Sequence, residues 1–366
     1  MKIAFLAGAN SIHSVRWITF FVDRGHEVIW LSFAPPMPEA EELAKKITFY
    51  EIAPSPLADI NGRFAIRYLP VAVKRIKEIF EKEKPNILHI HSAGTYGFAA
   101  ALANFHPNVL TPWGTDILLG GLIKKLVLMF IVNRTNTYIC DGENTFKRLI
   151  GLGANRGKIH LIRFGIDVEK FKSKEVKSSI GSLTSKKLKV ISLRSLIPIY
   201  DVETLIKAAA IVVKETSDIE IVIVGDGNQK DYLKALAAKL ITYDAIHFVG
   251  RVNNEDLPEL LRRADIYVST ALSDSGLASS TAEAMATGLP VVVTNTGDNK
   301  KWVENEFVIP IKSPETLAKK LAILIKNPDL RNKQGIRNRQ IIEKKNNYVV
   351  EMKNVEKLYE ETIMSN

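Results

Sequence analysis

KIAFLAGANSIHSVRWITFFVDRGHEVIWLS, residues 2–32, holds a complete folding unit. KIAFLA (2–7) is a short apolar run of the kind that forms a buried strand. After GANS comes a segment in helical period, IHSVRWITFFVDR, closed by Gly25 where helices commonly stop. EVIWLS (27–32) then returns to a strand pattern. Strand, helix and strand in that order imply parallel pairing with a right-handed crossover, because parallel neighbours need a long connection.

The same rhythm runs outward from this unit. RFAIRYLPVAVKRIKEIFEKEK (63–84) reads as a helix before the strand NILHIH (86–91), and GFAAALANF leads to NVLTPW (108–113). A hydrophobic helix around 121–132 leads to TYICDG. FKSKEVKSSIGSLTSKKLK (171–189) is rich in Lys and Ser without apolar period, so it reads as a linker. A second series follows: KVISLR (189–194), IEIVIVGDG (219–227), IHFVG (246–250), DIYVST (265–270) and PVVVTN (290–295), with helical segments between. The expected fold is α/β: two tandem doubly wound Rossmann-like domains with an interdomain cleft. The boundaries are 1–168 for the first, joined by the C-terminal helix at about 346–366, and 169–345 for the second.

Bulk properties agree with that size. A chain of 366 residues exceeds what one core usually covers, and 46% hydrophobic with 25% charged residues is an ordinary globular composition. The single cysteine, Cys140, lies in an apolar run and reads as a buried, inert thiol. KIAFLAGAN is too short an apolar run for a secretory signal, and LVLMFIV (126–132) is far short of a bilayer span, so a cytoplasmic location is expected. The formal charge of +10 admits phosphorylated substrates or an anionic surface. Nucleic acid is disfavoured, since no basic run interleaves with aromatics and no reader motif appears. Basic residues beside apolar helix faces in 63–84 and 120–134 suit peripheral docking on an anionic membrane. Helices that merely cover the sheet, with Lys and Arg on the wet side, are the plainer reading.

In a doubly wound fold the loops after the strands carry the chemistry. The first, AGANSIHS, has one glycine, Gly8, where a dinucleotide fingerprint needs three, so a nicotinamide or flavin cofactor is disfavoured. Ser11, His13 and His91 sit in or beside first-domain loops and are candidates for lining a ligand pocket. Arg194 ends a strand just before a helix, a place suited to anion binding. From Ser275 to Gly297 there are 23 residues, and Glu283 is the only charged one. A helix from about Leu277 to Thr287 would turn Ala278, Ala282 and Met285 to the core and leave Ser279, Glu283 and Thr287 as a polar stripe. Small hydroxyls around one acid suit close approach by a polyhydroxylated ligand; a helix packed at an interface would use the same residues.

SDSGLASSTAEAMATGLPVVVTNTGDN (273–299) resembles the donor-binding motif of family-4 glycosyltransferases of the GT-B fold, a Glu-Gly segment ending in EAMAxGxPVV. IHLIRFGIDVEKF is similar to that family's crossover into the second domain, IHFVGRV to its nucleotide-base loop, and NVLTPWGTDIL to its histidine-glycine-x-aspartate stretch. The resemblance implies a nucleotide-diphosphate-sugar donor as co-substrate, no further cofactor and no metal. Glu283 would hold the donor ribose, and Ser275 stands where the family has its first Glu, with Asp274 beside it. Gly276, Leu277 and Ala278 would line sugar and diphosphate, and Gly250, Arg251 and Val252 would hold the base. Arg194 lies one residue from the family's Arg position, Tyr200 replaces its Lys, and Lys207 or Lys300 could supply the missing cation. Trp113 replaces the family's histidine, whereas Gly114, Thr115 and Asp116 match.

The implied reaction moves a sugar to a hydroxyl of a glycan or lipid-linked acceptor with retention of configuration. Arg194 would stabilise the departing diphosphate, and Asp116 would orient the acceptor hydroxyl. A glycosidase would need two flanking carboxylates, which the loops do not offer. A sugar-nucleotide epimerase of similar fold and a non-catalytic sugar-nucleotide binder are the remaining alternatives, the second because of Tyr200 and Ser275.

Overall fold

The computed structural model describes residues 1–52, 65–118, 120–173, 187–216, 218–241 and 245–365. Most of the expected linker, residues 174–186, lies outside them. The chain forms two compact units, Met1–Arg163 with Glu351–Asn366, and Phe164–Val350.

The first unit is built on seven strands: β1 (Lys2–Leu6), β2 (Glu27–Ser32), β3 (Thr48–Glu51), β4 (Ile87–His91), β5 (Asn108–Thr111), β6 (Thr137–Cys140) and β7 (Ile159–Leu161). They lie in the order β3-β2-β1-β4-β5-β6-β7, and every pair is parallel. Side-chain alternation divides the core. Ala4, Leu6, Leu88, Ile90 and Leu110 face a layer of helices that includes Ala65–Glu83, Thr95–Ala103 and Leu122–Val132. On the opposite face Phe5, His89 and His91 meet Trp17 and Phe21 of the helix Ile12–Asp23 and Tyr359 of the helix Tyr348–Met364.

That C-terminal helix is fastened to the first unit by polar contacts. The Glu351 carboxylate accepts the Arg163 backbone N–H at 3.0 Å, Glu356 takes Arg24 at 2.9 Å, and the Thr362 hydroxyl meets that of Thr137 at 3.2 Å.

The second unit repeats the plan with β8 (Leu188–Leu193), β9 (Ile219–Val224), β10 (Ile246–Gly250), β11 (Ile266–Ser269), β12 (Val291–Thr294) and β13 (Val308–Ile309). The order is β10-β9-β8-β11-β12-β13, again all parallel. Buried side chains fill both faces of β8, β9, β11 and β12, mostly Val, Ile and Leu, as strands covered on two sides require. In each sheet the winding reverses beside the first strand, between β1 and β4 and between β8 and β11. Ligands of such sheets bind beyond the carboxyl ends of the strands at this reversal.

Three strands were not expected from sequence. β3, β7 and β13 are short and only partly buried, so they carry too few residues to show a period. Cys140 is fully buried in β6.

Candidate functional site

The loops after β8 and β11 meet in the second unit. Arg194 follows β8 directly and donates from Nη2 to Asp274 Oδ1 at 2.5 Å, with both side chains nearly buried at 8% and 11% exposure. The guanidinium carbon lies 4.1 Å from the centre of the Tyr200 ring. The ring face of Tyr200 thus attracts the guanidinium. Burial pushes the Asp274 carboxyl up, against the pull of Arg194. Burial also works against the Arg194 charge, but Asp274 and Tyr267 outweigh it and hold the guanidinium above its ordinary value.

Main-chain contacts lock these loops together. The Leu272 N–H donates to the Ile199 carbonyl at 2.8 Å, and the Thr270 hydroxyl donates to the Asp201 carbonyl at 2.8 Å. Two glycines allow backbone to touch backbone. A Cβ on Gly225 would sit 2.1 Å from the Arg194 carbonyl oxygen, and one on Gly297 would sit 2.2 Å from that of Gly276. Both also hold positive φ, +136° and +52°, which other residues rarely adopt. The glycines of GDGNQK therefore seat the β9 loop against the Arg194 segment.

The helix bearing Glu283 runs Ser279–Ala286, shorter than the expected 277–287. Thr281, Ala282, Ala284, Met285 and Ala286 are buried, so the helix is enclosed on most of its circumference. Ser279, Ser280 and Glu283 remain partly exposed. Thr287 does not extend the polar stripe: it is 2% exposed and donates its hydroxyl to the Glu283 backbone carbonyl at 2.9 Å. A threonine at a helix end can satisfy its own hydroxyl four residues back, which the spacing rule ignores. Ala278, expected in the core, is the partly exposed cap before the helix, while Leu277 is buried.

Ser275 is partly exposed, and the Gly276 carbonyl accepts the Asp298 N–H at 3.3 Å. Gly250 joins the set through its carbonyl, which accepts the Gly225 N–H at 2.8 Å; Arg251 is exposed and Val252 packs on the core. Lys207 is paired with Glu203 at 2.6 Å, and Lys300 is exposed.

Sequence reasoning missed Tyr267. It is fully buried on β11, with its hydroxyl 2.9 Å from Ser280 Oγ and 3.5 Å from that of Thr281. A tyrosine inside an apolar strand is a readable signal, because its hydroxyl must find a partner.

At the reversal of the first sheet stand aromatic and imidazole rings, with one carboxylate, Asp116, among them. The Gly8 carbonyl accepts the Ser11 N–H at 3.2 Å in the turn that opens the first helix. His13 then stacks on Trp113, ring centres 5.2 Å apart, and His91 meets the same indole edge-on at 5.1 Å. Burial pushes the His13 imidazole down to about 4, helped by Arg16. It pushes His91 to about 3, with His13 adding to the effect. Both are neutral at pH 7. His91 Nδ1 lies 3.3 Å from Ser14 Oγ, and its buried Nε2 has no hydrogen-bond partner.

Asp116 is oriented inward. Its Oδ1 accepts the Trp113 N–H at 2.9 Å and its Oδ2 the Ala93 N–H at 2.7 Å, so it staples the β5 loop to the β4 loop. Gly114 holds φ +104° within that turn, and Thr115 is exposed. Four first-domain candidates, His13, His91, Trp113 and Asp116, therefore gather in one place. His89, two residues before His91 on the same face, was missed; it bonds Thr111 at 2.7 Å and the Tyr359 hydroxyl.

Known proteins share this design. Residues 173–341 match the family described as glycosyl transferases group 1, and residues 2–140 match glycosyl transferase 4-like. An uncharacterized glycosyltransferase of Methanocaldococcus jannaschii is 27% identical over 213 residues, 57% of this chain and 54% of that protein. The UDP-Gal:alpha-D-GlcNAc-diphosphoundecaprenol alpha-1,3-galactosyltransferase of Escherichia coli is 29% identical over 63% of each chain. The chain thus spans between about half and two thirds of the length of these curated relatives. Among solved structures, sucrose-phosphate synthase of Thermosynechococcus elongatus superposes with a TM-score of 0.86 at 16% identity, over the whole of both chains. HepE of Anabaena in complex with UDP-glucose gives 0.79 at 19%, also over both whole chains. At these identities the structures speak for fold. The two family matches take in most of the chain, which belongs to the group-1 glycosyl transferases of the two-domain α/β GT-B fold.

Proposed function

We propose that this protein moves a sugar from a nucleotide-diphosphate-sugar donor to a hydroxyl of a glycan or lipid-linked acceptor, with retention and without a metal ion. The second unit takes the donor. The carrying observation is the helix Ser279–Ala286, which keeps one acid, Glu283, partly accessible on an otherwise enclosed small-residue helix. Its carboxylate can accept both hydroxyls of a ribose. Ser275 and Ala278, the partly exposed ends of the turn before this helix, are where the diphosphate would approach. As the bond from the sugar carbon to the diphosphate breaks, negative charge grows on the leaving oxygen, and the adjacent Arg194 guanidinium stabilises it. HepE, crystallised with UDP-glucose, and the galactosyltransferase, which by its name uses UDP-Gal and a diphosphoundecaprenol acceptor, support this choice of substrates.

The first unit takes the acceptor. Trp113 offers an aromatic surface to a sugar ring, and neutral His13 offers a polar atom beside it. No described helix is long and apolar enough to cross a membrane. We place the protein in the cytoplasm, with peripheral contact between its first unit and an anionic membrane.

Thermal shift with UDP-, GDP- and ADP-sugars tests the reading, since a ligand that binds only the folded state raises the melting temperature. Glu283→Ala should abolish the shift and leave the unliganded melt within about 2 °C of wild type, as expected for a partly exposed side chain. A large fall in the unliganded melt would make Glu283 a packing residue. A second reading, a binder without turnover, is favoured by one observation: Asp274 already neutralises Arg194, and Tyr200 adds no charge. Donor consumption that depends on added acceptor decides between the two.

A further inference from the structure

The helix Ser279–Ala286, which carries Glu283, is eight residues long. Its N-cap is Ala278, which makes no side-chain capping bond, and its first turn holds no acidic residue. An isolated helix of this length is not stable in water. Glu283 also falls in the last turn, where the negative end of the helix dipole opposes a carboxylate. Such a helix needs fastening at its carboxyl end.

Part of that fastening is local. The Gly288 N–H donates to the Met285 carbonyl at 3.0 Å and the Leu289 N–H to the Ala284 carbonyl at 3.1 Å, with Gly288 at φ +78°. The rest comes from the helix Pro328–Lys345. Arg339 Nη1 donates to the Ala286 carbonyl at 2.6 Å and to the Phe171 carbonyl at 2.8 Å, and Nη2 donates to the Val168 carbonyl at 3.3 Å. Glu343 holds the same guanidinium at Nε, 2.7 Å away. Val168 and Phe171 belong to the segment by which the chain enters the second unit. Beside Arg339, the fully buried Asn338 donates from Nδ2 to the Leu289 carbonyl at 2.8 Å. Gly335 lets the two backbones touch: a Cβ there would sit 2.1 Å from the Gly288 carbonyl oxygen.

Arginine suits this place for two reasons. Its planar fork spans three carbonyls at once, which an ammonium cannot do. Its charge stands at the helix end that favours a cation, and so offsets the cost of Glu283 in the last turn. We propose that Arg339 is a positioning residue for the donor site. It holds the last turn of the helix, and with it Glu283, against the entry segment, and thereby sets the affinity for the nucleotide. The transferase reading enters this inference only through the identity of the ligand.

The test compares two arginines of one helix in the full chain. Arg331 donates to the Leu324 and Ile325 carbonyls at 2.6 and 2.9 Å, so it fastens a different helix with similar bonds. Isothermal titration with UDP, GDP and ADP is run on both variants. Arg339→Gln should weaken the nucleotide that wild type binds by about tenfold, the size of one hydrogen bond to a charged group. Arg339→Lys, which keeps the charge, should weaken it by about threefold. Arg331→Gln should stay within about twofold of wild type, although it loses two bonds of the same kind. Hydrogen exchange without nucleotide should rise at 283–289 in Arg339→Gln and not in Arg331→Gln. Equal weakening by the two Gln variants overturns the inference, because Arg339 then acts through general stability. So does unchanged affinity in Arg339→Gln. If that variant unfolds, Arg339→Lys carries the same comparison. Wild type binding none of the three nucleotides sinks the transferase reading instead; the exchange at 283–289 then decides for Arg339, and an unchanged rate overturns its role.

Discussion

The two units share one strand order and one place of reversal, yet they furnish that place with opposite chemistry. Beyond β8 and β11 stands a nearly buried ion pair, Arg194–Asp274, with a tyrosine ring against the guanidinium and glycines that bring main chains together. Beyond β1 and β4 stand rings: His13 on Trp113, His91 at its edge, with the imidazoles held neutral by burial. The fold supplies a crevice position; the charge carried there is set by side chains alone. An ion pair suits a ligand that arrives with phosphate charge, while neutral rings suit one that arrives with hydroxyls.

The comparison breaks first at Arg194. Arg194→Ala leaves Asp274 buried without its cation, and removing one partner of a buried pair costs about 3–5 kcal/mol. Chemical denaturation of the variant measures this. Arg194→Met combined with Asp274→Leu should recover most of the loss, because neither charge then needs solvation. A cost below about 1 kcal/mol for Arg194→Ala would class the pair with exposed salt bridges and remove the contrast between the units.

The first unit should break by acid instead. His13 and His91 titrate near 4 and 3 when folded but near 6.5 when unfolded. The unfolded chain therefore binds more protons below pH 6.5, so their stability contribution is full above that value and falls as pH drops toward 3. For His91, which is 1% exposed, the loss is on the order of 4 kcal/mol by pH 3. Three of the four tryptophans, Trp17, Trp30 and Trp113, lie in the first unit, so indole fluorescence in urea at stepped pH follows it. His91→Gln should flatten the slope. An unchanged slope would mean that the imidazole is already solvated in the folded protein.

These sites were unequally legible in the sequence. Strands such as NVLTPW and PVVVTN are apolar runs bounded by breakers, and both proved to be strands. The run of small residues around Glu283 was visible because the absence of charge over that length is itself a pattern. The ion pair was not visible. Arg194 and Asp274 are 80 positions apart and meet only because β8 and β11 are neighbours, a fact of sheet order rather than of local pattern. Likewise Asp116 was readable as a motif residue, but its two backbone partners depend on the β4 loop lying beside it. His89 shows the nearest miss. Alternation in NILHIH puts it on the same face as His91, whereas its partner Tyr359 comes from 270 positions away.

The smallest effect gives the sharpest comparison, because a tyrosine hydroxyl is buried close to each place of reversal. Tyr359 bonds the fully buried His89, and Tyr267 bonds Ser280, which is partly exposed. Tyr359→Phe leaves His89 Nδ1 without a partner where water does not reach, a cost of about 1–3 kcal/mol. Tyr267→Phe leaves a serine hydroxyl that can turn to solvent and loses only a long 3.5 Å contact to the buried Thr281 hydroxyl, so about 0.5–1 kcal/mol is expected. Urea midpoints of the two variants at pH 7 decide the order. If Tyr267→Phe proves the costlier, the Ser280 hydroxyl is sealed from water, and the helix bearing Glu283 is packed too tightly at that end to admit a ligand.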